Sequence, residues 1–292
     1  MIGVSRKESV RGQAGAVGQA EAGGQAEVRA HWRRSRTVRN GFLTDMASIS
    51  MRALRQIPRE PDSVVPLLVV PLFFYVVNVA ALGNIAKLAV HLDFKAFELP
   101  AAILFAVTGV SRASTLVTDI QNGYFDRLCV TPVNRIALLL GLMVADFAIV
   151  VSLTIPVLLV GLAYGVTFVD GLAGVIVFVL LAGAWGVAFT GFPYAIALKT
   201  GNPAAVNTSF VLFFPFTFLT TAFMPQRLLS GWLATVATYN PVTYLLRAMR
   251  SLARTGGWDL VSLSEAALAI AIVGVITMTL ALLALRGRVK GS

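Results

Sequence analysis

Long apolar runs alternate with short polar segments through most of the chain after residue 60. A helix needs about 20 apolar residues to cross the hydrocarbon core of a membrane, and six runs have about this length. The second run is the most diluted, because it contains Thr108, Ser111 and Arg112. The pattern predicts an all-α polytopic membrane protein with a six-span membrane domain over residues 64–286. The predicted spans are Val64–Leu82, Phe97–Val117, Ile136–Val160, Leu172–Ala195, Asn207–Phe223 and Ala266–Leu285.

The segment before the first span has an amphipathic pattern. Apolar residues recur every three or four positions from Phe42 to Ile57, and Arg52 and Arg55 lie between them. This spacing predicts a helix within residues 41–63 that lies in the headgroup region, with its apolar face in the bilayer and its arginines near the phosphates. A helix that packs on the protein instead fits the same pattern.

A short charged segment separates the second and third apolar runs. Ile120, Tyr124 and Leu128 are four residues apart, which places them on one face of a helix. Thr131-Pro132 ends the pattern, because proline lacks an N–H and clashes with the preceding turn. We therefore predict a helix over residues 118–132 at the membrane surface, where a soluble partner can bind it. An ordinary solvated loop helix is the alternative.

Residues 224–254 contain two short apolar helical patterns that meet at Tyr239-Asn240-Pro241. Neither pattern is long enough to cross a membrane. They predict a re-entrant helical hairpin that dips into the outer leaflet, where broken backbone must be covered by protein or water. The alternative is a single kinked seventh span, which would place the basic C-terminus outside.

Composition and charge agree with a membrane protein. The chain is 57% hydrophobic and 13% charged, against about a quarter charged in soluble domains. Its net charge of +10 is concentrated near the ends, with eleven Lys and Arg before the first span and Arg286, Arg288 and Lys290 near the last residue. The positive-inside rule predicts that both termini are cytoplasmic. Residues 1–40 are predicted to be a disordered tail and 287–292 a basic tail, and no basic stripe interleaved with aromatic residues suggests nucleic-acid binding.

The motifs of several enzyme classes are missing from the sequence. It has no GxxxxGK[ST] loop to hold ATP, no HExxH zinc motif and no GxSxG motif. Its two histidines, His31 and His91, are far apart, and its one cysteine, Cys129, excludes an internal disulfide. We expect no catalytic residue, no metal site and no cofactor bound by this chain. Any active transport must then draw energy from another chain.

Asp146 is the one acidic residue that lies deep in a predicted span. Counted from Ile136 at 1.5 Å per residue, it lies about 15 Å into the third span. A charge at that depth needs a partner or a water-filled path. Arg112 is the nearest candidate in the antiparallel neighbouring span. A packing pair, a lining role in the transport path and a protonated unpaired side chain all remain open.

Two groups of motifs resemble those of the ABC type-2 exporter permeases, with the daunorubicin-resistance branch as the nearest look-alike. Gly123-Tyr124-Phe125-Asp126-Arg127-Leu128, followed by Thr131-Pro132-Val133-Asn134-Arg135, resembles the cytoplasmic coupling segment of that family. Phe223-Met224-Pro225 resembles the turn that opens its outer hairpin. Tyr239-Asn240-Pro241-Val242-Thr243-Tyr244, with Arg247 and Arg250, resembles its Asn-Pro signature. The resemblance covers residues 42–286.

The resemblance implies a multi-pass subunit in the cytoplasmic membrane of a bacterium. It implies a homodimer, or a heterodimer with a sister permease, that contacts membrane lipid and is docked on cytoplasmic ATP-binding subunits that use ATP and Mg²⁺. The 118–132 helix would transmit closure of the ATPase through Gly123, Tyr124, Phe125, Asp126, Arg127, Leu128, Pro132 and Arg135.

The expected function is export of a hydrophobic drug or lipid-like molecule. Export of a polysaccharide or lipid-linked glycan by the same architecture is the close alternative. A secondary carrier or a membrane-embedded enzyme is the alternative from a different class. A secondary carrier would show internal repeats, and none is evident in the sequence. An enzyme would need a cluster of polar residues in its spans, and the sequence has none.

Overall fold

The computed structural model describes residues 46–51, 61–123, 135–211, 213–253 and 258–291. Within these ranges the regular structure is helical, apart from turns and short connections. The predicted tail of residues 1–40 lies outside them. The helices are α1 (Pro61–Val90), α2 (Phe94–Thr108), α3 (Ala113–Gln121), α4 (Arg135–Ala163), α5 (Leu172–Thr200), α6 (Pro203–Val211), α7 (Phe213–Phe218), α8 (Gly231–Tyr239), α9 (Pro241–Leu252) and α10 (Leu260–Gly291), with a 3₁₀ turn at Gln226–Leu228.

Five helical stretches in the described part of the chain are long and apolar enough to cross a membrane. They confirm the prediction of an all-α polytopic membrane protein. Each ends a few residues past its predicted end, because hydrophobicity alone does not show where a helix stops. The stretches are Val65–Ala89, Phe94–Gln121, Leu139–Ala163, Leu172–Thr200 and Leu260–Arg288.

The predicted span Asn207–Phe223 differs from the structure. Its residues fall in α6 and α7, a shorter apolar stretch over Pro203–Phe218, and the helix ends five residues before Phe223. The chain then turns through residues 219–224. The residues of this turn are apolar, so the hydrophobicity pattern extended the predicted span through them. Hydrophobicity alone does not show that the carbonyls at the end of a helix accept hydrogen bonds from a distant side chain.

Helix α10 begins at Leu260, before the predicted start of the last span at Ala266. Ser262 and Glu265 have the spacing of a capping box, but they do not form one. Asp259 is the capping residue instead, because its carboxylate accepts hydrogen bonds from the Ser262 hydroxyl (2.6 Å) and backbone N–H (3.1 Å). These two bonds lower the pKa of the Asp259 carboxyl. Glu265 pairs with Arg247 rather than with the helix end.

Helices α5 and α10 approach closely, with Gly191 at their contact. A Cβ atom at that glycine would lie 2.7 Å from the backbone of Thr277, so a larger residue would separate the helices. The Thr277 hydroxyl donates to the carbonyl oxygen of Ala188 across the same contact. Glycine here permits a packing distance that any side chain would prevent.

Hydrogen bonds between helix ends define two ends of the bundle. At one, which we call the Gly201 end, Gln121 donates to the carbonyl of Gly201 (3.0 Å) and Arg288 donates to the carbonyl of Leu198 (3.2 Å). At the opposite end, which we call the Tyr164 end, Lys95 donates to the carbonyl of Tyr164 (2.9 Å). The ends of α3, α5 and α10 therefore lie together, away from the start of α2.

The part of the predicted interfacial helix that the structure describes is a helical segment over residues 46–51. Its Ser50 is buried and donates to the carbonyl of Gly141 in α4 at 2.9 Å. Gly141 lies near the start of α4, toward the Gly201 end. The segment therefore contacts protein along one side, and the remainder of the predicted helix lies outside the described residues.

Candidate functional site

The residues that flank the predicted coupling segment lie at the Gly201 end of the bundle. Helix α3 ends at Gln121, and Gly123 follows with φ +68°, a left-handed conformation that favours glycine. Helix α4 begins at Arg135, whose side chain is not described. Seven of the eight predicted contact residues are thus not described at side-chain level, since Tyr124, Phe125, Asp126, Arg127, Leu128 and Pro132 lie outside the described residues.

Asp146 is fully buried and holds together a break in the second span. The chain leaves α2 after Thr108 and enters α3 at Ala113, so the backbone N–H of Arg112 has no helical acceptor. The Asp146 carboxylate accepts that N–H at 2.9 Å and accepts the Tyr194 hydroxyl at 2.6 Å. Broken backbone inside a bilayer needs such a partner. Asp146 therefore ties α4 to the break and to α5.

The predicted neighbours Asp146 and Arg112 do meet in the structure. The backbone amide of Arg112 donates to the Asp146 carboxylate, and the charge of Arg112 also acts on that carboxylate. The physical reason is the helix break, which exposes an amide that a continuous helix would have used. Tyr194 was not predicted, because a tyrosine within a long apolar run gives no signal that distinguishes a hydrogen-bonding role from packing.

Asn240 connects two helices at the Asn-Pro break. Its side-chain oxygen accepts the backbone N–H of Val242 at 3.0 Å, which caps α9, and Pro241 occupies the first turn of that helix, where its missing N–H leaves no donor unsatisfied. Its side-chain NH₂ donates to the carbonyls of Phe216 (2.9 Å) and Leu219 (3.1 Å). These bonds satisfy carbonyls at the end of α7, which explains why α7 stops there.

Arg250 is a buried arginine that anchors α9 to the bundle. Its guanidinium donates to the carbonyl of Phe97 (3.0 Å), to the hydroxyl of Thr221 (3.2 Å) and to the carbonyl of Ala222 (3.0 Å). It also lies 3.6 Å from the centroid of the Phe97 ring, a close cation–π contact. One side chain thus joins α9, the start of α2 and the turn after α7.

The remaining predicted hairpin residues make more exposed contacts. Arg247 forms a salt bridge with Glu265 in α10 (2.9 Å) and a hydrogen bond with Gln226 (3.0 Å). Tyr244 donates to the carbonyl of Thr238 at 2.8 Å, and Pro225 accepts the first bond of the 3₁₀ turn. Helices α8 and α9 are therefore linked to each other and to α10 by side chains from the predicted motif.

A cavity of about 440 Å³ lies between α1, α2 and the pair α6–α7. Its lining is mostly apolar and contains Phe105 and six more phenylalanines, among them Phe74 and Phe214. Glu98 and Asn78 bring the main polar groups to its wall, and they are joined by a 2.9 Å hydrogen bond. Glu98 lies near the start of the predicted second span, and its place in a cavity could not be predicted, because residues distant in sequence form the cavity.

The fold and these contacts define a polytopic membrane protein with a broken second span and a side-chain-anchored helical hairpin. A family model described as ABC-2 type transporter matches residues 44–253. The chain belongs to this family, and it is an ABC-2 permease.

Two named relatives agree with this assignment. Daunorubicin resistance ABC transporter permease protein DrrB1 of Streptomyces coeruleorubidus is 27% identical over 214 residues, which cover 71% of this chain and 75% of the relative. Probable doxorubicin resistance ABC transporter permease protein DrrC of Mycobacterium tuberculosis is 27% identical over 208 residues, which cover 70% and 75% of the respective chains. The predicted family resemblance is confirmed.

Proposed function

We propose that this chain is the membrane subunit of an ATP-driven exporter of hydrophobic drugs or lipid-like molecules. It acts as a dimer, with itself or a sister permease, and cytoplasmic ATP-binding subunits supply the energy. Family membership over residues 44–253 carries the proposal, and the drug-resistance names of the two relatives support the substrate class. A phosphate-binding loop is missing from the sequence, so ATP and Mg²⁺ are assigned to the partner.

The cavity between α1, α2 and α6–α7 favours an apolar substrate over a glycan. A sugar presents many hydroxyl groups, and each needs a hydrogen-bonding partner when it leaves water. The described lining offers mainly Asn78, Glu98 and Thr108, whose hydroxyl already donates to Leu104. Aromatic and aliphatic side chains form the rest of the wall, which suits a hydrophobic molecule.

The proposed topology has six spans, with the Gly201 end in the cytoplasm. Helices α6 and α7 form the short, broken fifth span, and α8 and α9 form the re-entrant hairpin on the external side. Lys199, Arg286 and Arg288 lie on the proposed cytoplasmic side, as the positive-inside rule requires. Lys95, Arg227 and Arg247 lie on the proposed external side and depart from the rule.

Reporter fusions test this topology. Fusions after Gly201 and after Gly287 are expected to give a cytoplasmic signal, and a fusion near Gly165 is expected to give an external one. Paired enzymatic reporters, one active only inside and one only outside, measure each position twice. An external signal at Gly287 would contradict the six-span arrangement with cytoplasmic termini.

Substitutions in the predicted coupling helix test the ATPase contact. Phe125→Ala and Arg127→Ala are each expected to weaken binding of the ATP-binding subunit by about 2 kcal/mol, because aromatic and arginine side chains dominate protein interfaces. The measurement is co-purification of the ATPase with the tagged permease, together with ATP hydrolysis by the purified fractions. The permease alone is expected to hydrolyse no ATP.

Phe73→Ala is the matched control for these variants. Phe73 lies on α1, is 62% exposed and does not line the cavity. Its substitution therefore removes an exposed aromatic side chain outside the predicted coupling helix. It is expected to leave ATPase binding unchanged. Full co-purification and full transport with both coupling-helix variants would favour the alternative, in which Phe125 only anchors its helix in lipid.

A further inference from the structure

Glu98 combines deep burial with an unused carboxylate oxygen. The residue is 4% exposed, and its Oε1 accepts from Asn78. Its Oε2 is buried and has no hydrogen-bond partner in the part of the chain that the structure describes. Buried carboxylate oxygens almost always have partners, because water that once solvated them has been lost. This orphaned oxygen belongs to a residue that lines the aromatic cavity.

We propose that Glu98 and the aromatic wall of this cavity bind the protonated amine of a cationic amphiphilic molecule. The Oε2 oxygen accepts a hydrogen bond from the ammonium group, and Asn78 holds the carboxylate in place through Oε1. The phenylalanine side chains contact the apolar body of the same molecule. This inference rests on the proposed export function and names the chemical class of its substrate.

Charge complementarity selects the cation over a neutral or anionic molecule. An ionised carboxylate in apolar surroundings is unfavourable unless a positive charge and hydrogen bonds compensate it. The charge of Arg250 acts on Glu98 and favours the ionised carboxylate. The described hydrogen bonds of Arg250 go to Phe97, Thr221 and Ala222, so Oε2 is left to accept a hydrogen bond from a ligand.

The aromatic lining adds a second attraction for a cation. Phenylalanine faces carry negative electrostatic potential and attract ammonium groups within about 6 Å. Phe105 lies near two further rings, with centroid distances of 6.0 Å to Phe214 and 5.9 Å to Phe223. The volume of about 440 Å³ lies within the range of small-molecule pockets. The cavity thus provides a carboxylate and an aromatic wall for one ligand.

The test is equilibrium binding of two fluorescent probes to the purified full-length chain in lipid nanodiscs, without the ATPase. Dansylcadaverine carries a protonated primary amine beside an aromatic group, and its N-acetyl derivative has the same aromatic group without the charge. Wild-type protein is expected to bind the amine about tenfold more tightly, as a charged hydrogen bond requires. Glu98→Gln, of nearly equal volume, is expected to bind both probes equally.

Two control variants make the test specific. Asp93→Asn removes a carboxylate from the same helix end, outside the cavity lining, and is expected to keep the preference. Phe214→Ala, at a half-exposed ring in the wall, is expected to weaken binding of both probes, because both share the apolar contact, and to leave the amine the tighter ligand. If Glu98→Gln does not fold, the affinities of wild-type protein for the two probes still test the proposal.

Equal affinity of wild-type protein for the two probes would overturn the proposal, and so would an unchanged preference in Glu98→Gln. Neither result would contradict export, because a permease without this preference can still carry neutral molecules. Conversely, failure of the ATPase to co-purify would contradict the proposed function and leave the binding result intact.

Discussion

Replacing Arg250 by methionine is expected to lower the free energy of unfolding by about 3 kcal/mol or more, because buried hydrogen-bonding groups left without partners are costly. The guanidinium serves the carbonyls of Phe97 and Ala222 and the hydroxyl of Thr221, all in a buried setting. Methionine fills similar space and removes all three donors. The folded fraction after heating, measured by size-exclusion chromatography of detergent-solubilised protein, is the direct readout.

Arg247→Met is the matched control, three residues earlier on the same helix. The side chains of Arg247 and Glu265 are 41% and 37% exposed, and a salt bridge with this exposure contributes roughly 1 kcal/mol or less. The Arg250 variant is therefore expected to lose clearly more stability than the Arg247 variant. Similar losses in both would show that position within α9, and not the buried hydrogen bonds, determines the effect.

The contrast between the two arginines explains how the hairpin is fixed. Arg250 holds α9 against α2 and against the turn after α7, whereas Arg247 reaches α10. Asn240 adds bonds from the start of α9 to the end of α7. The Asn-Pro motif and the two arginines therefore attach the hairpin to the rest of the bundle. All of them lie at the start of α9 or within it, so this one helix carries the attachment.

Local chemistry made the Asn-Pro break predictable. A proline in the first helical turn preceded by asparagine starts a helix by rules that depend only on neighbouring residues. The end of α7 was not predictable in this way, because Asn240 reaches its carbonyls from 21 and 24 residues away. The expectation that the fifth span continues to Phe223 failed for this reason.

Long-range contacts likewise explain what the sequence missed inside the bundle. The spacing of Asp146 and Arg112 identified the correct neighbouring elements, since antiparallel helices joined by a short segment usually pack together. It did not identify the helix break that turns the contact into one with a backbone amide. Tyr194, 48 residues away on α5, and the cavity at Glu98 depend on packing among three or more helices.

Asp146→Leu is expected to lower the free energy of unfolding by about 2–6 kcal/mol, because it leaves two buried donors without an acceptor. These donors are the Tyr194 hydroxyl and the Arg112 backbone N–H, at 2.6 and 2.9 Å from the carboxylate. Asp146→Asn keeps one acceptor oxygen and is expected to lose less. Stability in detergent, measured by thermal unfolding, ranks the two variants, and full stability of the leucine variant would contradict a structural role.

A double-mutant cycle between Asp146 and Tyr194 separates their bond from other effects of burial. Tyr194→Phe removes only the hydroxyl, and combined with Asp146→Asn it is expected to lose less stability than the sum of the single variants, with a coupling of about 0.5–3 kcal/mol. Exchanging the charges of Arg112 and Asp146 is expected to restore nothing. The carboxylate accepts from the backbone N–H of Arg112, and an arginine at position 146 has no acceptor for that N–H. Recovery of stability in the exchanged variant would show instead that the two side chains pair. The break in the second span would then be stabilised by this ion pair and not by the hydrogen bond to the Arg112 backbone N–H.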